Sequence, residues 1–277
     1  MKIDSHQHFW HYSPDTHGWI DDTMTVLQQD FLPPDLHPHL RQHGFDGCVA
    51  VQASASEQET EFLLTLANQH DFIQGVVGWV NLQDEQLASR LESYTHHHKL
   101  VGMRHIVQSE SDEQFLLRPE FLRGVKLLQQ YDLTYDILIY ERQLPATLQF
   151  VAQLPDARLV LDHIAKPRIA LRELSPWRDN VRLLAQYPNV YCKLSGIVTE
   201  ADWQQWQPND IIPYLDVVTE AFGPDRLMFG SDWPVCLLAA PYRAVVELVN
   251  QYFSRFSTDE QTKIWGQNAA GFYRLSA

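Results

Sequence analysis

The sequence predicts an α/β fold, a (β/α)8 barrel, and three observations carry that prediction. Eight short runs rich in Val, Ile, Leu and aromatic residues recur along the chain, and most are followed by a longer stretch with apolar residues at helical spacing. Histidine, lysine, arginine or aspartate stands at the ends of several of these runs, where a closed barrel gathers its strand ends into one mouth. Eight alternations within 277 residues suit a barrel, whereas a doubly wound open sheet uses fewer strands and a glycine-rich nucleotide turn. Neither G-x-G-x-x-G nor a P-loop occurs, so no nucleotide cofactor is expected.

The first strand is expected over 2–8 and ends in His6-Gln7-His8. Alternate strand residues leave the same face, so both imidazoles point one way and Gln7 the other, offering two nitrogen ligands of the kind zinc and related divalent ions accept. A long loop, about 9–34, follows with Trp10, His11, Tyr12, Trp19, Ile20 and Asp21, and it is expected to lie over the mouth. Strands over 46–53 and 73–81 flank a helix over 57–69. A helix over 83–97 ends in His96-His97-His98, read as a solvated helix end that the dipole favours when protonated. The fourth strand, 101–107, carries Arg104 and His105 near its end, and a helix over 113–130 follows. The fifth, 134–139, precedes a helix over 142–154. The sixth, 158–164, closes on His163 and is followed by a helix over 176–186. The seventh, 189–195, closes on Lys193 and Ser195 before a helix over 211–222. The eighth, 226–233, brings Asp232, and two further helices follow it.

No Pro/Gly/Ser-rich tract, charge block or repeat divides the chain, so residues 1–277 are expected to form a single domain. The start lacks the apolar run of a signal peptide, and no stretch approaches the ~18 apolar residues of a membrane span, so a cytoplasmic location without membrane contact is expected. A formal net charge of -14 repels phosphate backbones and argues against a nucleic-acid partner. Cys48, Cys192 and Cys236 show neither zinc-ribbon spacing nor a disulfide framework and read as buried thiols. Nothing in the sequence sets an oligomeric state.

Taken in order, His6-x-His8, Leu161-Asp162-His163-Ile164-Ala165-Lys166-Pro167, Lys193-Leu194-Ser195-Gly196 and Phe229-Gly230-Ser231-Asp232-Trp233-Pro234 resemble the amidohydrolase superfamily, of the amidohydrolase 2 type. Gly102-Met103-Arg104-His105-Ile106-Val107-Gln108 and the opening Phe9-Trp10 are similar to its branch of sugar-acid and dicarboxylate lactonases, of the L-fuconolactonase and L-rhamnonolactonase kind. The resemblance spans nearly the whole chain and itself implies the barrel.

It also implies a hydrolase that opens a sugar lactone to the free acid, with Asp232 as the general base for water. His6, His8 and His163, with Asp232 beside them, would hold one divalent ion or donate to the carbonyl oxygen directly. Arg104 would serve a polar or anionic substrate group, or form a structural ion pair under the mouth. Two-metal members carry a bridging carboxylated lysine or a glutamate on strand four or five. Those strands here offer Arg104, His105 and Asp136, so at most one ion is expected. Nitrogen and oxygen donors suit zinc, with manganese or iron also acceptable, and the branch includes members that work without metal. Trp10, Trp19, Trp79 and Trp233, with Arg104 and His105, would wall a site for a small ring-shaped, hydroxylated substrate, although such aromatics also pack loops against a rim. Lys166 and Lys193 either bind a carboxylate or pair with nearby acids. The alternatives are a metal-dependent decarboxylase of the same superfamily acting on an aromatic or unsaturated acid, and a non-catalytic barrel that binds a sugar acid.

Overall fold

In the computed structural model, which describes residues 1–276, eight parallel strands follow one another around a barrel in sequence order. They are β1 (Ile3–Gln7), β2 (Gly47–Val51), β3 (Ile73–Gly78), β4 (Leu100–His105), β5 (Thr134–Ile137), β6 (Leu159–Leu161), β7 (Val190–Leu194) and β8 (Leu227–Phe229). Between and after them run α1 (Pro33–Gln42), α2 (Glu57–Gln69), α3 (Leu87–Tyr94), α4 (Pro119–Leu128), α5 (Leu144–Ala152), α6 (Trp177–Leu184), α7 (Pro208–Phe222), α8 (Tyr242–Phe253), α9 (Thr258–Thr262) and α10 (Asn268–Tyr273). All eight expected strands form, and the fold is the (β/α)8 barrel.

The seam between β8 and β1 is closed by individual bonds in place of a regular ladder. Ser5 Oγ donates to Phe229 O at 2.6 Å, Asp232 N–H to His6 O at 2.8 Å and His8 N–H to Trp233 O at 2.7 Å. Gly230 permits this approach, because a Cβ there would stand 2.6 Å from His6 Cβ. Asp4 ties the seam from below, accepting Ser231 N–H at 2.8 Å and Tyr242 O–H at 3.1 Å.

Two apolar layers hold the barrel. Inside it, Ile3, Val49, Val51, Val77, Val160 and Met228 are buried, and Phe272 and Tyr273 of α10 close the floor beneath them. Outside, the helices cover the opposite strand faces with a continuous buried layer that includes Phe121, Phe150, Trp177 and Phe253. Each fully buried side chain of this size contributes roughly 1.5–3 kcal/mol of transfer free energy, so the two layers supply the main drive to fold.

Several boundaries differ from the sequence reading. α1 falls where no helix is expected: Pro33 and Pro34 fill its first turn, where a missing N–H is harmless, and Asp35 accepts the Leu32 N–H at 2.9 Å. β6 and β8 are each three residues long, shorter than the expected 158–164 and 226–233, because His163 and Asp232 adopt φ of 52° and 57° and leave the extended region. His96, His97 and His98 lie beyond the end of α3, with His96 and His98 exposed. All three cysteines are buried and free. Among the described residues, no helix is long and apolar enough to cross a membrane.

Candidate active site

His6 and His8 emerge from β1 on the barrel-mouth side, their rings 5.0 Å apart. The ladder to β2 shifts register between Asp4 and Gln7, the local irregularity by which strand ends re-aim side chains toward a site. His8 Nδ1 lies 2.7 Å from Val51 O, and a carbonyl only accepts, so Nδ1 carries the proton. In the neutral ring Nε2 is then an acceptor, and it faces another acceptor, Asp232 Oδ1, at 3.2 Å. Two lone pairs at that distance require a proton or a cation between them.

Asp232 holds its position through the bond from its N–H to His6 O and through Cys236 N–H, which donates to Asp232 O at 2.8 Å. Burial alone would raise its carboxyl, but the neighbouring imidazoles, His163 first and then His8 and His6, outweigh burial and hold it below the usual carboxylate range. It is therefore ionised at neutral pH. His163, at the top of β6, packs its ring 4.4 Å from that of His6, and burial lowers its pKa to about 4, so the ring is neutral. Ser195 Oγ lies 2.9 Å from His163 Nδ1, and Gly196, at φ 62°, lets the chain pass the ring: a Cβ there would be 2.5 Å from Nδ1.

Below the histidines lies a buried ionic layer. Arg104 Nη1 donates to Asp162 Oδ2 at 3.0 Å and lies 3.2 Å from His6 Nε2, while Nη2 bonds the Gln52 backbone carbonyl. Lys193, with no exposed surface, stands 2.5 Å from Asp136 Oδ2, 3.0 Å from Asp162 Oδ1 and 3.2 Å from His6 Nδ1. Tyr273 O–H donates to Asp136 Oδ2 at 2.7 Å, linking the layer to the barrel floor. Burial raises the Asp136 carboxyl to about 6 against the pull of Lys193; for Asp162, Lys193 leads the neighbours that overcome burial and hold it well below the usual range. Lys193 thus pairs with acids and does not face the cavity.

His8, Arg104, His163, Lys166 and Asp232 line a single cavity of 120 Å³, with Trp19, Ile106, Gln108 and Leu138 among its other walls. Of the residues expected to contact substrate, Trp19 and Arg104 are therefore on the cavity, and the others pack elsewhere. Trp10 is buried edge-on against Trp19 and Phe31, its Nε1 donating to Gln29 O. Trp233 is buried between Phe9 and Phe31. Strand alternation turns His105 to the face opposite Arg104, where it stacks on Phe115, donates to Glu110 at 2.8 Å and accepts from Trp79 Nε1 at 3.2 Å. Arg104 both borders the cavity and forms the structural ion pair.

Sequence reasoning assigned no role to Asp4, Gln52, Asp136, Asp162 or Glu200. Asp162 and Asp136 carried a usable signal, an acid at a strand end within the barrel. Glu200 carried none, since it lies in the loop beyond β7.

The donor set suits a divalent ion. His6, His8 and Asp232 each offer a ligand atom within 4.8 Å of the others, as do His6, Asp162 and His163. The opposed lone pairs of His8 and Asp232 would be reconciled by such an ion, and Asp162 behind His6 Nδ1, 3.4 Å away, is the carboxylate that commonly orients a ligating imidazole.

The comparisons with known proteins agree with this architecture. The amidohydrolase family model matches residues 3–275. An L-fucono-1,5-lactonase of Burkholderia multivorans (strain ATCC 17616 / 249) is 46% identical, over 99% of this chain and 96% of its own length. A crystal structure of an amidohydrolase from Burkholderia multivorans with bound zinc has a TM-score of 0.97 at 46% identity, covering both chains fully. The L-rhamnono-gamma-lactonase of Scheffersomyces stipitis is 23% identical over 72% of this chain and 66% of that one. With the family model spanning nearly its full length, the chain belongs to the amidohydrolase family.

Proposed function

We propose that the protein hydrolyses a sugar-acid lactone of the L-fucono-1,5-lactone kind to the free acid. The observation that carries this reading is the ionised Asp232 carboxylate on the cavity wall, set among His6, His8 and His163 and, among the described residues, forming no ion pair with a lysine or arginine. The full-length likeness to a named lactonase supports hydrolysis over decarboxylation.

Lactone opening needs a polarised carbonyl, a deprotonated water and a donor for the oxyanion. Asp232 takes a proton from the attacking water. His163, neutral, bonded to Ser195 at Nδ1 and lining the cavity, donates to the carbonyl oxygen from its other nitrogen. Arg104 and the ionic layer beneath it keep His6 in place. His6, His8 and Asp232 would hold the ion, with zinc the best match to two nitrogens and one oxygen, and the bound ion would polarise the carbonyl and acidify water. Trp19, half-exposed with its Nε1 bonded to Ala53 O at 3.1 Å, supplies a fixed aromatic face for a sugar ring.

The test is acid release, followed with a pH indicator, from a panel of aldono-1,4- and 1,5-lactones before and after chelator treatment. Fast opening of one lactone is the expected result. Rates no faster than spontaneous hydrolysis across the panel would overturn the reading.

A further inference from the structure

Lys166 borders the same cavity as Asp232 and His163, and the hydrolysis described above gives it no task. Its backbone setting is costly. His163, Ile164, Ala165 and Lys166 are four consecutive non-glycine residues at φ of 52°, 48°, 62° and 47°. Left-handed geometry costs an L-residue roughly 1–2 kcal/mol, so this turn persists only because its surroundings enforce it. Lys166 N–H donates to His163 O at 2.8 Å, Trp177 Nε1 donates to Ile164 O at 2.7 Å, and Ile164 and Ala165 are wholly buried. The turn sends its two apolar members into the packed layer and its two polar ends, His163 and Lys166, to the cavity.

The two cavity cations also differ in commitment. Arg104 is spent on Asp162, Gln52 and His6. Among the described residues the Lys166 ammonium has one carboxylate contact, Glu200 Oε1 at 3.4 Å, and lies 5.5 Å from the Tyr140 ring centroid, leaving N–H groups for a ligand. Glu200 keeps the flexible lysine stem on the cavity wall. Collapse of the tetrahedral intermediate expels the ring oxygen as an alkoxide, a far poorer leaving group than a carboxylate, and a proton must reach it.

Resting on the lactonase reading, we propose that Lys166 is the general acid that protonates the departing ring oxygen. Water oxygen bonds to the carbonyl carbon as Asp232 takes one water proton. The bond from that carbon to the ring oxygen then breaks, its electron pair stays on the ring oxygen, and that oxygen takes a proton from Lys166 Nζ. Asp232 afterwards releases its proton to solvent, the Lys166 amine regains one, and the new carboxyl, which kept the second water proton, loses it to solvent, so that lactone and water give hydroxy-carboxylate and one proton.

The experiment compares the wild type, Lys166→Arg, and Lys166→Met combined with Glu200→Gln so that no buried carboxylate loses its partner. Each is assayed on an aldono-1,5-lactone and on its ring-sulfur analogue, whose thiolate leaves without protonation. Arginine keeps the charge but does not release a proton. Both variants are expected to lose about 10²–10⁴-fold in kcat on the oxygen lactone, the usual worth of a general acid, and far less on the sulfur one. A second readout uses the oxygen lactone alone, in ¹⁸O-labelled water: slowed collapse returns the intermediate to lactone, so recovered substrate gains more label per turnover in Lys166→Arg than in the wild type. Wild-type turnover by Lys166→Arg, equal losses on both lactones, or loss without added label would each overturn the assignment. A wild type inactive on every lactone would instead remove the lactonase reading itself.

Discussion

Replacing Asp232 with asparagine isolates proton transfer from everything else that this residue does. The side chain is nearly isosteric, and asparagine tolerates the φ of 57° as well as aspartate does. The backbone bonds to His6 O and from Cys236 N–H are untouched. The amide also relieves the opposition of lone pairs, since its NH₂ donates to His8 Nε2 across the present 3.2 Å. The fold should therefore survive, with any fall in melting temperature limited to the stability that the carboxylate contributes. What is lost is a base whose removal ordinarily slows a reaction by 10²–10⁴-fold, or about 3–5 kcal/mol of barrier at 1.36 kcal/mol per decade. Initial rates of lactone opening, with thermal unfolding as the control, provide the assay. The acid limb of stability gives an independent sign. The folded carboxyl lies below its unfolded value, so Asp232 contributes stability above about pH 4 that is lost as pH falls further, and the variant should show a flatter acid limb. Turnover within tenfold of wild type by a well-folded Asp232→Asn would refute the assignment of the base.

Other outcomes follow from the same geometry. Ser195→Ala should lower turnover about tenfold and stability by roughly 1–3 kcal/mol, because it leaves buried His163 Nδ1 without its partner; chemical denaturation and rate together check this. Gly196→Ala should cost more than about 2 kcal/mol in the same denaturation, combining a left-handed methyl-bearing residue with a Cβ 2.5 Å from Nδ1. Burial raises the Asp4 carboxyl to about 6, so the folded state binds the extra proton between about pH 4 and 6, and stability falls by roughly 3 kcal/mol as pH rises through that window. Asp4→Asn should remove that slope, and an unchanged slope would show that Asp4 is not its source. His6→Asn with His8→Asn should abolish stoichiometric zinc in metal analysis of the purified protein, and undiminished zinc would place the ion elsewhere.

The sequence by itself determined the barrel, because eight apolar runs with intervening helical periodicity leave few other closed arrangements. It also determined which polar residues meet, since strand ends far apart in sequence share one mouth: His6, His8, His163 and Asp232 come together from β1, β6 and β8. Alternation along a strand, though, is a local rule, and it did not reveal which neighbour faces inward. Arg104 and His105 look equivalent in sequence, yet one enters the barrel and the other stacks on Phe115 among the helices. Trp10 and Trp233 likewise resemble ring-stacking residues but fill the packing under the loop, because an aromatic suits either place. Only the tertiary structure decided the buried ionic layer of Arg104, Asp136, Asp162 and Lys193, which stand on or at the end of four successive strands, β4 to β7, and pair across the barrel interior. The left-handed turn that presents His163 and Lys166 was also hidden, since four non-glycine residues hold positive φ only where packing and long-range hydrogen bonds outweigh their local preference.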